Sequence, residues 1–148
     1  MTEPTRDLFF CVAALLDQGR AINRLSRPLT AAALIGILVY PSIMGRPWML
    51  VGFAMLVALA GLAEVYYAIR IGFDAALFHQ LASAPESPDF ARTDAALSRL
   101  GLLPATAIGR PAEARMRGAK RLFGLQILAL VTQVLAVLAG ACIAWTWR

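Results

Sequence analysis

Histidine, cysteine and lysine are nearly absent from this 148-residue chain, which holds one His, two Cys and, among fourteen basic residues, a single lysine, Lys120. One histidine, His79, excludes a two-histidine haem site within one chain and any paired-histidine metal motif. Cys11 and Cys142 lie near opposite ends, show no metal-ligand spacing, and read as two small apolar residues rather than a disulfide. The chain also lacks a Gly-rich phosphate loop and a nucleophile elbow. These absences predict no metal, no cofactor and no enzymatic activity. Glu3 and Asp7 stand where a secretory signal would carry basic residues, so the N-terminal segment is expected to be retained. There is no internal repeat and no low-complexity tract.

Acidic residues are scarce too, nine against fourteen basic ones, for a net charge of +5. An excess of this size can signal nucleic-acid binding, but loops of membrane proteins collect the same charge, and the rest of the composition selects the membrane. Hydrophobic residues make up 59% of the chain. Its mean hydropathy of +0.67 lies above the soluble range. Thirteen arginines beside one lysine, with abundant Ala and Leu, fit the codon bias of a GC-rich bacterial genome.

Three stretches carry no charge: Pro28 to Gly45, Pro47 to Ala63, and Leu122 to Trp147. A membrane span needs about 20 apolar residues. The expected fold is therefore all-α, with three transmembrane helices at 28–45, 48–71 and about 122–147. An amphipathic surface helix over 5–25 precedes them, with Leu8, Val12, Leu15, Leu16 and Ile22 on one face. Pro28 suits a first helical turn, and the short link "GRPW" makes the first two spans an antiparallel hairpin.

The second span meets no helix breaker before about residue 82, so a helix of roughly 52 Å overshoots the bilayer by about 20 Å. Pro85 and Pro88 end it, and Ser87 with Pro88 can start a short amphipathic helix over 88–101. A last helix over 111–147 is again longer than a bilayer requires. Basic residues concentrate before the first span and between the second and third, which predicts a cytoplasmic N-terminus and a periplasmic C-terminus.

The residues expected to matter are polar ones inside the apolar runs. Glu64 lies about 24 Å along its helix from Trp48 and Arg70 about 33 Å, so Arg70 and Asp74 form an interface pair while Glu64 sits inside the membrane. The third helix runs the opposite way and brings Gln126 to the level of Glu64, with Gln133 deeper on the same face. We expect a polar seam of Glu64, Tyr67, Gln126 and Gln133. Five basic residues before the third span, Arg110, Arg115, Arg117, Lys120 and Arg121, are placed to contact anionic lipid.

The expectation for function is a small bacterial inner-membrane protein serving as a non-enzymatic accessory, scaffold or assembly subunit of a larger membrane complex. The alternative is a homo-oligomeric channel or ion-driven component using Glu64. Expected partners are the lipid bilayer and a membrane protein or further copies of the chain, not nucleic acid.

Overall fold

The computed structural model describes residues 3–43, 48–83, 90–101 and 108–146. The described residues are helical almost throughout: α1 Glu3–Asp17, α2 Gly19–Ile43, α3 Trp48–Ser83, α4 Phe90–Arg99 and α5 Ala112–Thr146. Three stretches are long and apolar enough to cross a membrane: Arg6–Val39, which joins α1 and α2 at the N-terminal end, α3 and α5. The chain is thus a multi-pass membrane protein by helix length and composition.

The register of the bundle follows from two hydrogen-bonded levels. Glu64 of α3 meets Gln126 of α5, and Val57, one heptad back along α3, meets Gln133, one heptad forward along α5. These two helices are therefore antiparallel. Gly19 and Ser26 of α2, also a heptad apart, meet Gln126 and Gln133 in turn, so α2 runs parallel to α5. A shared seven-residue repeat across three helices is the spacing of nearly aligned, coiled-coil-like packing. Small side chains allow that closeness at the far end of the bundle, where Ala33, Ala54, Ala58 and Ala136 pack with Val57.

A second core sits at the other end of the bundle, where α3 and α5 extend beyond their polar levels. Phe9, Val12, Ala13 and Leu16 of α1 form a buried stripe against Ile71, Ala75, Phe78 and Ala82 of α3, joined by Met116 and Ala119 of α5. The Phe9 and Phe78 rings stack with centroids 5.7 Å apart. Arg6 Nε donates to the Ala82 carbonyl in the last turn of α3, where a cation complements the helix dipole.

Two expectations about α1 and α2 are corrected. The helix break falls at Gln18, not before Pro28, and Pro28 lies inside α2. At the break the Gln18 N–H turns back to the Leu15 carbonyl, and the Ala21 N–H closes a tight turn onto Gln18. A proline in a helix interior removes one backbone bond. Here the residues on either side of it, Ser26 and Thr30, are both tied to Gln133, which holds the helix through the gap. The buried face of α1 also differs: Val12 and Leu16 lie on it, but Leu8 and Leu15 point outward, and Phe9 and Ala13 take their place.

Both cysteines are free and exposed rather than packed. The expected link through Gly45, Arg46 and Pro47, the Ser87–Pro88 helix start, and the end of the chain at Trp147 and Arg148 lie outside the described residues.

Candidate functional site

The polar centre of the bundle consists of two rungs one heptad apart. In the first, Gln126 Nε2 donates to the Gly19 carbonyl at 2.9 Å and to Glu64 Oε1 at 2.6 Å. Two acceptors on one amide nitrogen fix which end of the side chain carries the protons. In the second, Gln133 Nε2 donates to the Val57 carbonyl at 3.1 Å and to Thr30 Oγ1 at 2.9 Å, while Ser26 Oγ donates to Gln133 Oε1 at 2.7 Å. The Thr30 hydroxyl donates its own hydrogen bond to the Ser26 carbonyl. Glu64, Gln126, Gln133 and Ser26 are each 0% exposed.

The two rungs differ in completeness. Gln133 uses both amide protons and its oxygen accepts a bond, so the second rung closes on itself. In the first, Glu64 Oε2 and Gln126 Oε1 are buried with no hydrogen-bond partner. Two acceptors without a donor are costly in an apolar surround.

Glycines make both rungs possible. A Cβ on Gly19 would stand 2.7 Å from Gln126 Oε1, and one on Gly61 would overlap Thr30 Oγ1 and come within 2.6 Å of Gln133 Nε2. Each glycine is therefore a point where a helix backbone touches a polar side chain of its neighbour.

The structure brings Glu64, Gln126 and Gln133 together with Gly19, Ser26 and Thr30, which the sequence reading did not select. Tyr67 stands apart from the rungs. It packs against the core beside α1 and sets its ring against Tyr66. Arg70 and Asp74 lie a turn apart on α3, and among the described residues they close no direct ion pair. His79 Nε2 lies 2.9 Å from Asp17 Oδ2, pinning the end of α1 to α3.

The five basic residues before the third span separate. Arg110, Arg117, Lys120 and Arg121 are exposed. Arg115 instead turns back to Asp94, with Nη2 2.7 Å from both carboxylate oxygens. Gly109, at φ 74°, points its N–H at Asp94 Oδ2 from 2.8 Å. Burial of Asp94, 1% exposed, opposes its ionisation most strongly. The Gly109 N–H and the Arg115 guanidinium together outweigh that cost and hold the carboxyl below its ordinary range. Among the described residues, this clip ties α4 to the turn at Gly109 and to the start of α5.

Among the described residues, no three of His, Cys, Asp and Glu gather as metal ligands would. No family model, no curated protein and no solved structure matches this chain, so its functional reading rests on the geometry of the site itself.

Proposed function

We propose that the chain is a non-enzymatic accessory, scaffold or assembly subunit of a larger complex in a bacterial inner membrane, with its N-terminus cytoplasmic and its C-terminus periplasmic. The observation that carries this reading is the inward turn of the bundle's polar groups. Glu64, Gln126, Gln133 and Ser26 all bond between helices of one chain. The outer faces are left to apolar side chains such as Leu34, Ile35 and Leu38 of α2, Leu59 and Leu62 of α3, and Leu135 and Leu138 of α5. Such faces suit lipid and the helices of another membrane protein, where van der Waals packing drives association. The orientation rests on the gathering of basic residues at one end of the bundle.

One observation favours the second reading, a homo-oligomeric channel or ion-driven component using Glu64: Glu64 Oε2 is buried without a partner. An acid inside a span is often part of an ion path. Against it, a path between copies needs Glu64 on an outer face, whereas Glu64 faces α5 and the start of α2.

Glu64→Gln separates the two, because the amide keeps an acceptor for Gln126 and removes the ionisable group. Under the scaffold reading, this variant still co-purifies from native membranes in mild detergent with a distinct membrane protein at fixed stoichiometry, and ion flux through reconstituted vesicles equals that of the parent. Ion flux that is present in the parent and lost in an intact Glu64→Gln assembly would overturn the proposal, as would a parent chain that purifies as a bare monomer.

A further inference from the structure

The basic end of the bundle carries a groove of about 390 Å³ between α3 and α5, separate from the polar rungs. The register set by Glu64 and Gln126 places Arg70 and Arg121 at one level on the facing helices, on either side of this groove. Both are exposed and close no hydrogen bond or direct ion pair among the described residues, Arg70 feeling only the charge of Asp74 a turn away. Toward the membrane, Leu122 and Leu125 form its wall in the first turn of the charge-free run of α5. Away from the membrane it is closed by Leu97 of α4 and by Arg110. Gly118 of α5 also lines it, and an added Cβ there would meet nothing within 4 Å.

We propose that this groove binds one anionic phospholipid of the adjoining leaflet, its phosphate between Arg70 and Arg121 and an acyl chain along Leu122 and Leu125. Charge complementarity selects the occupant. Arg70, Arg110 and Arg121 line the groove against one acid, Asp74, since Arg115 is already held by Asp94. Depth selects it as well. Arg121 stands where the charge-free run of α5 begins, and Arg70, the first basic residue of α3, stands at the same level; basic pockets between spans at the level of lipid phosphates suit anionic headgroups. Arg117 and Lys120 carry equal charge in the same segment but do not line the groove.

That contrast supplies the test. The full chain, purified and stripped of lipid, is titrated with phosphatidylglycerol or phosphatidylcholine in detergent, and bound lipid is counted by native mass spectrometry. Expected is one phosphatidylglycerol per chain, with phosphatidylcholine binding weaker by about tenfold or more. Arg70→Gln with Arg121→Gln removes this preference, while Arg117→Gln with Lys120→Gln keeps it. Gly118→Leu fills the groove without altering charge and abolishes the bound lipid; it decides the matter should the double arginine variant not fold. The proposal is overturned if Arg117→Gln with Lys120→Gln weakens binding as much as Arg70→Gln with Arg121→Gln, if Gly118→Leu binds normally, or if no phosphatidylglycerol is retained.

Discussion

Replacing Gly61 by alanine is expected to destabilise the bundle by about 3 kcal/mol, although alanine is the better helix former. The added methyl would occupy the place of Thr30 Oγ1 and press on Gln133 Nε2. The helices must then separate or Gln133 must leave its site. Overpacking alone costs about 1–3 kcal/mol. Displacing Gln133 also breaks its bonds to Thr30, Ser26 and the Val57 carbonyl, each worth about 0.6 kcal/mol and up to about 1.7 kcal/mol in a membrane. Gly52 is the control, because a Cβ there meets nothing within 4 Å. Gly52→Ala should raise stability by up to about 1 kcal/mol through helix propensity. Reversible unfolding in a detergent titration measures both. Equal effects of the same sign would show that the second rung is not a close contact.

The second large effect is expected at Asp94. Asp94→Ala leaves the Arg115 guanidinium, 13% exposed, and the Gly109 N–H without their acceptor. Removing one partner of a buried pair costs about 3–5 kcal/mol. Because Asp94 joins α4 to Gly109 and Arg115, outside the polar rungs of the spans, the cost is expected to fall on the docking of α4 and not on the spans. Hydrogen exchange should show residues 90–101 losing protection while the centres of α3 and α5 keep theirs. The same clip is sensitive to acid. Its carboxyl is held below the ordinary range, so its stabilisation is complete above the unfolded-state value of about 3.9 and is lost as pH falls through the lower folded-state value. Protection of α4 should therefore fall only in strong acid in the parent, and should be low and independent of pH in Asp94→Ala. Unchanged α4 protection in the variant would contradict this account of the clip.

The long helices were legible in the sequence because charge-free runs of bilayer length have few other interpretations. The level of Glu64 against Gln126 followed from counting helical rise along antiparallel spans, since α3 and α5 are straight enough for 1.5 Å per residue to hold over their length. Contributions from α2 were not legible. Ser26 lies beside Arg24 and Arg27 and just before Pro28, so composition placed a boundary there. Tertiary bonds from Gln133 carry the helix across that proline. One signal was present: Gly19 and Ser26 repeat the seven-residue spacing of Gln126 and Gln133. Asp94 was hidden for another reason. Its partners are Gly109 and Arg115, and a contact across an intervening loop leaves no periodic trace.

The central claim is that the buried polar rungs join the spans of a single chain, with Glu64 serving as a hydrogen-bond acceptor for Gln126. A double-mutant cycle on Glu64→Ala and Gln126→Ala, read by unfolding of the chain after separation from any partner in detergent, tests it most directly. The claim predicts a coupling between about 0.6 and about 1.7 kcal/mol, the range of interhelical hydrogen bonds in membranes. Additivity within about 0.3 kcal/mol would contradict it.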